Sequence, residues 1–251
     1  MKEKVMLIAG GSDPAGSEMD GTEDSIFNRQ NSFGNLLANK LGYRPINIAI
    51  SGSANTGIAR SVIEWFDTQY NQNTMDMFVL IGFADSIRME APWHRPTWHN
   101  KNNPNTDWFS ETSVNYMRIT PALKKFNDDE DLIEDYQRFM ACAENYLQIY
   151  SANLILQLQY YFQSKNIPYL LLNTLYMFDK NIPQLNWYLK QIDSRRYINF
   201  DNNDESFYTR YANLGYKNEL AKYFHHGIEP HKLYADYLFD YINKNNLLDT
   251  L

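Results

Sequence analysis

Ser12 and the paired histidines His225 and His226 are the side chains in this sequence best suited to covalent chemistry. Ser12 lies in Gly10-Gly11-Ser12-Asp13-Pro14-Ala15-Gly16, directly after the apolar run Val5-Met6-Leu7-Ile8-Ala9. Such a run reads as a buried strand, and its glycines allow a sharp turn close to a ligand. A serine at the carboxyl end of a strand stands where open α/β sheets bind their ligands. Its hydroxyl becomes a useful nucleophile only when a base takes its proton, and an imidazole is the usual base. The C-terminal segment His225-His226-Gly227-Ile228-Glu229-Pro230-His231 offers that imidazole. Two further segments carry polar groups after apolar runs. They are Ser51-Gly52-Ser53-Ala54-Asn55 and Gly82-Phe83-Ala84-Asp85-Ser86-Ile87-Arg88.

Alternating strands and helices must position these groups. Val5–Ala9, Ile46–Ile50, Phe78–Ile81 and Ile167–Leu172 read as strands. Between them, Phe33, Leu36, Leu37 and Leu41 mark one face of a helix over Ile26–Leu41, with Gly42 as its stop. Ile58, Val62, Trp65 and Phe66 mark a second helix from about Asn55 to Tyr70. A stripe from Leu132 through Phe139, Leu147, Tyr150 and Leu154 to Tyr161 spans about 128–165, as one long helix or two with a bend. Core packing is its expected role, a subunit interface the alternative. The segment 91–120 is rich in Trp, Pro, Asn and His without a period, and reads as a long loop insertion. The expected fold is one α/β domain over residues 1–251, three-layered around a mainly parallel sheet.

These blocks, in this order, resemble the SGNH (GDSL-like) hydrolases, closest to a branch common in phages and other viruses. Gly11-Ser12 with Gly16 resembles the nucleophile block. Asn47–Asn55 followed by Ile58-Ala59-Arg60 resembles the second block, and Ile81–Ser86 with Arg88 and Glu90 the third. His225, ahead of His231 and Lys232-Leu233-Tyr234-Ala235, resembles the terminal block. The resemblance implies a flavodoxin-like fold and a serine esterase with Ser12 as nucleophile and His225 as base. It also implies an oxyanion hole from the Ser12 and Gly52 amides. O-acetyl groups on a carbohydrate are the implied substrate, and no cofactor is needed. Transfer of the acyl group to another hydroxyl is an alternative outcome of the same chemistry. Two positions depart from the family pattern. Ala84 stands where many members carry an asparagine, so Asn55 is expected either as the replacement donor or only as the cap of its own helix. No carboxylate shortly precedes His225, so a Ser–His dyad or a distant acid such as Asp201 or Asp204 is expected. That departure also supports a non-catalytic binding or virion-structural protein as the rival reading.

Plainer roles stand beside the chemical ones. Asp13, Asp85, Arg88 and His226 are candidate pocket residues. Equally, Asp85 suits a turn, and Arg88 and Glu90 suit an ion pair, with each other or with Arg60. His231 suits packing or capping. His94 and His99 lack a third ligand, so no metal is expected. Trp93, Trp98 and Trp108 suit a sugar face or loop packing. The sequence has 251 residues and a formal charge of −7, which gives no basic footprint for nucleic acid. No apolar stretch approaches a membrane span and no signal-peptide pattern opens the sequence, so a cytoplasmic, membrane-free protein is expected, with virion association and homo-oligomers as additions. The single cysteine, Cys142, excludes an intramolecular disulfide and reads as a buried thiol.

Overall fold

The computed structural model describes residues 2–92, 116–119, 130–175, 178–222 and 225–249. Its central sheet has five parallel strands in the order β2-β1-β3-β6-β7. These are β1 (Glu3–Gly10), β2 (Arg44–Asn47), β3 (Met75–Phe83), β6 (Tyr169–Asn173) and β7 (Tyr197–Ile198). The helices are α1 (Ser12–Ala15), α2 (Ile26–Asn31), α3 (Phe33–Leu41), α4 (Asn55–Gln69), α5 (Glu130–Ser164), α6 (Pro183–Leu189), α7 (Phe207–Asn213) and α8 (Ile228–Lys244). Strand side chains alternate between two cores. Val5, Leu7, Val79, Ile81 and Leu171 pack with residues of α4 and α5 such as Val62, Trp65, Ile155 and Phe162. Met6, Ile8, Phe78, Leu80 and Leu170 pack with Phe33, Leu37, Tyr234 and Leu238 of α3 and α8. Burial on both faces explains why the strands read as unbroken apolar runs. Each fully buried large side chain contributes roughly 1.5–3 kcal/mol. The result is a three-layer α/β fold.

The order places β1 between β2 and β3, so the chain reverses its direction across the sheet at β1. A crevice opens outside the carboxyl ends of the strands at such a reversal. Ser12 follows β1 and Ala84–Arg88 follow β3, at the carboxyl ends of two neighbouring strands. The turn that carries Ser12 packs closely on β3. Gly10 has φ +149°, and a Cβ there would stand 2.4 Å from the Gly82 carbonyl oxygen. A Cβ on Gly82 would stand 2.5 Å from Pro14 Cγ and 2.7 Å from Thr174 Cγ2. Both positions therefore need glycine for Pro14 to seat, and Pro14 fixes the backbone that carries Ser12.

Several elements differ from the sequence-based expectation. The helix expected over Ile26–Leu41 is two helices, because Ser32 takes an extended conformation and caps α3 by accepting from Asn35 N–H. The second strand stops at Asn47, although Ile48 and Ile50 still donate to Ile8 and Gly10 carbonyls. Strand β7 is only two residues long, too short to leave a periodic signature. The segment 91–120 begins and ends in a hairpin of β4 (Met89–Pro92) and β5 (Tyr116–Ile119). His94, His99, Trp93, Trp98 and Trp108 lie outside the described residues.

Helix α5 has a non-helical residue at Ala143 (φ −112°, ψ 15°), the bend that the sequence left open. Among the described side chains of this helix some are core and some are not. Leu147, Ile155, Leu158 and Phe162 are buried, whereas Phe139, Tyr146 and Tyr150 are exposed. Cys142 is exposed too, not a buried thiol. A helix of 35 residues is about 50 Å long. Among the described residues no helix is long and apolar enough to cross a membrane.

Candidate active site

Four loops supply the site. The first is the turn after β1. Ala15 N–H donates to Gly11 O, and Ser17 N–H donates to Ser12 O at 2.9 Å. Asn47 reaches in from the end of β2, donating to Pro14 O at 2.9 Å and to Asn35 Oδ1 at 2.9 Å. Buried Arg29 holds the next stretch, donating to the carbonyls of Asn47 and Ala49 while pairing with Asp24 at 2.9 Å. Ser12 is thus fixed by its neighbours and is buried, 6 % exposed. Its hydroxyl has no hydrogen-bond partner among the described residues, so no Ser12–His225 hydrogen bond is formed here. Catalytic hydrogen bonds are often long before substrate arrives.

The same turn supplies an acid that sequence reasoning missed. Glu18 is 1 % exposed, and its Oε2 lies 2.7 Å from His225 Nδ1. Its other carboxylate oxygen accepts from Lys222 N–H at 3.1 Å, and its backbone carbonyl accepts from Asn218 Nδ2 at 2.9 Å. Glu18 therefore fastens Asn218, Lys222 and His225 beside the Ser12 turn. It does so from a left-handed backbone (φ 65°), a conformation that costs a non-glycine residue of order 1–3 kcal/mol and clusters at functional sites. Asp201 and Asp204 are not the partners of His225. Asp201 is exposed and pairs with Lys180 at 3.3 Å, and Asp204 lies in an exposed 3₁₀ turn capped by Asn202. The only signal for Glu18 in the sequence was a carboxylate close behind the serine, within one tight turn.

The second loop, Ile50–Ser53, is closed by a hydrogen bond from Ser53 N–H to Ile50 O. Gly52 occupies its third position at φ 75°, where glycine meets no steric cost. Asn55 does not stand as an open donor. Its Nδ2 donates to Ala84 O (3.2 Å) and Ser151 Oγ (3.3 Å), and its Oδ1 accepts from Ala84 N–H (2.9 Å). Both amide hydrogens are occupied, which corrects the oxyanion role expected of Asn55. Its work is to brace the third loop at the position where the asparagine of the family pattern is missing.

In that third loop Asp85 forms a turn: its Oδ1 accepts from Ile87 N–H and its carbonyl from Arg88 N–H. Glu90 pairs with Arg60 at 2.8 Å. Arg88 faces Asp85 and Asp13, and burial pulls its guanidinium below its ordinary range. Asp13 is 2 % exposed, and its Oδ1 is buried with no hydrogen-bond partner among the described residues. Burial pushes its carboxyl above the usual carboxylate range, although His225, His226 and Arg88 pull the other way.

The three histidines differ sharply. His225 is partly exposed beside Glu18. His226 is buried against Phe207, Tyr208 and Tyr211, with Nε2 2.9 Å from Tyr208 O, so that nitrogen carries the hydrogen. His231 Nδ1 accepts from Phe33 N–H at 3.2 Å and its ring stacks on Phe33, joining α8 to the start of α3. Desolvation, with His226 and His225 nearby, holds His231 well below its ordinary value of 6.5. The folded state therefore excludes a proton that the unfolded chain takes up as pH falls below about 6.5. Stability from this site is fully present above that pH and is lost at up to about 1.4 kcal/mol per unit on acidification. Urea midpoints at about pH 7.5 and about pH 5.5 should show this drop, and His231→Asn, which keeps an acceptor for Phe33 N–H, should show less of it. An unchanged drop in that variant would remove His231 as its source.

Among the described residues no cluster of three or more His, Cys, Asp or Glu could hold a metal ion. In comparisons with known proteins, no protein-family model matches this chain, and no curated protein does.

Proposed function

We propose that this chain is a serine ester hydrolase of SGNH type, with Ser12 as nucleophile, His225 as general base and Glu18 as the acid that orients the imidazole. The observation that carries the reading is the 2.7 Å pair between Glu18 Oε2 and His225 Nδ1, formed beside the serine turn. Carboxylate on Nδ1 fixes the tautomer in which Nε2 is free to accept a proton. His225 takes the Ser12 proton as Oγ attacks the ester carbonyl carbon. Charge develops on the carbonyl oxygen and is met by the backbone N–H groups of Ser12 and Gly52, each worth roughly 3–4 kcal/mol when aimed at the oxyanion. Collapse expels the alcohol, which receives the proton from His225. Water, deprotonated by the same imidazole, then releases the acid and restores Ser12. An acceptor hydroxyl in place of water gives acyl transfer instead.

The substrate favoured by the resemblance is a small acyl ester, such as an O-acetyl group on a carbohydrate. A binding or virion-structural protein is the second reading, and the absence of a Ser12–His225 hydrogen bond favours it. A fluorophosphonate probe separates the two. The hydrolase should be labelled at one residue, and peptide mass spectrometry should find the adduct on Ser12. A protein that stays unlabelled and releases no nitrophenol from nitrophenyl acetate is the binding protein.

A further inference from the structure

Asn47 and Arg29 tie together the two loops that carry Ser12 and Gly52. Strands β1 and β2 pair in parallel, and backbone hydrogen bonds continue past β2, from Ile48 N–H to Ile8 O at 2.8 Å and from Ile50 N–H to Gly10 O at 3.0 Å. Beyond Gly10 the first segment turns into α1, and beyond Ile50 the second turns at Gly52. The buried Asn47 side chain bridges the two. The two hydrogens of its Nδ2 go to Pro14 O and Asn35 Oδ1, each at 2.9 Å, with Ser32 Oγ beside them at 3.2 Å. Its Oδ1 accepts from Ala49 N–H at 3.0 Å and lies 3.4 Å from Arg29 Nη1. The amide cannot be turned over, because donors would then face donors and oxygens would face oxygens. Arg29 Nη1 donates to Ala49 O at 3.0 Å and to Asn47 O at 3.2 Å. Asp24 holds the rest of the guanidinium, 2.9 Å from Nε and 3.0 Å from Nη2.

We propose that Asn47 and Arg29 are positioning residues that fix the separation between the Ser12 turn and the Gly52 loop, and with it the two N–H groups that meet the oxyanion. This role rests on the hydrolase reading. Donors set in place beforehand are what make an oxyanion hole effective, since nothing has to rearrange as charge develops. Ser12 N–H belongs to the turn whose Pro14 carbonyl Asn47 grips, and Gly52 follows three residues after Ala49, which Asn47 and Arg29 both grip. Both side chains act through backbone and not on the ester. Position 47 needs a donor on one side and an acceptor on the other, which an amide alone supplies at this size. Position 29 needs a planar fork that reaches carbonyls and a carboxylate at once, which an ammonium does not supply.

Asn47→Asp cuts one link selectively. The carboxylate still accepts from Ala49 N–H and Arg29, but it sets a second oxygen against Pro14 O. In the folded variant, kcat per fluorophosphonate-titrated serine should fall by about 10–100-fold, less than the loss of a whole oxyanion donor. KM for nitrophenyl acetate should stay within about twofold. The inhibition constant of a trifluoromethyl ketone, whose serine adduct carries an oxyanion, should rise by the factor by which kcat/KM falls. A side chain that serves stability alone moves the melting temperature and leaves that factor at one. The rising limb of kcat/KM with pH should stay in place, because the imidazole keeps Glu18. Arg29→Lys keeps a cation for Asp24 without the fork and should show the same pattern at about 3–10-fold, which covers the case in which Asn47→Asp does not fold. An unchanged kcat in either folded variant, a loss carried by KM, or a ketone whose affinity does not follow kcat/KM overturns the proposal. A parent that is neither labelled nor active is a different result: it overturns the hydrolase reading, and this role with it.

Discussion

Ser12→Ala, His225→Ala and the double variant should all lose ester cleavage to the same floor, roughly 10⁴-fold or more below the parent. The three should coincide because nucleophile and base act as one unit. Removing the base leaves a hydroxyl that attacks poorly, and removing the hydroxyl leaves the base nothing to activate. What remains is binding and the two backbone donors of the oxyanion hole. The neighbouring histidine gives the contrast. His226→Gln keeps an N–H that can reach the Tyr208 carbonyl, and its ring is packed among Phe207, Tyr208 and Tyr211 rather than on an acid. That variant should retain ester cleavage within about tenfold, with its cost paid in melting temperature by the loss of aromatic packing. Initial rates on nitrophenyl acetate, with circular dichroism to establish folding, decide the matter. If His226→Gln falls to the floor and His225→Ala does not, the base has been assigned to the wrong ring.

Much of this site was legible because its constraints are local. The Ser12 turn is announced by an apolar run meeting glycines, and the structure shows why: Gly10 and Gly82 are the positions where Pro14 leaves no room for a Cβ. The alternation of strands and helices was legible for the same reason, since strands buried on both faces cannot carry polar residues without cost. What escaped depends on contacts between residues distant in sequence. Glu18 and His225 are 207 positions apart, and nothing in a periodic pattern says that a carboxylate behind the serine turns back to meet a histidine. A carboxylate was expected just before the histidine or at a distant acid, and the one that meets His225 comes instead from the turn behind Ser12. Asn55 shows the opposite error. An amide beside a loop glycine looks like an oxyanion donor, yet the backbone of Ala84 takes both its donor and its acceptor. Phe139 belongs to the helical stripe of α5 and Cys142 to the same periodic helix, yet both are exposed ahead of the bend at Ala143. Periodicity identifies the face of a helix and is silent on how far the core extends along it.

If Glu18 on the Ser12 turn is the acid of the proposed hydrolase, its removal should act through the base. In Glu18→Gln the side-chain oxygen can still accept from Lys222 N–H, so the C-terminal stretch stays fastened, but the group turned toward His225 becomes an NH₂. That amide donates to Nδ1. The imidazole must then carry its hydrogen on Nε2, the nitrogen that should accept from Ser12. The charge that would stabilise the imidazolium is lost as well. The comparable change in a serine protease, with the geometry kept and the tautomer reversed, costs about 10⁴-fold in kcat. Glu18→Gln should therefore lower kcat by about 10³–10⁴-fold while KM moves little, because the amide touches the base and not the ester. Fluorophosphonate labelling of Ser12 should slow in proportion, and urea denaturation should show a folded protein. A loss smaller than tenfold in a folded Glu18→Gln protein would leave Glu18 as a strut that holds the Asn218–His225 stretch, and would return the site to a Ser12–His225 dyad without an acid.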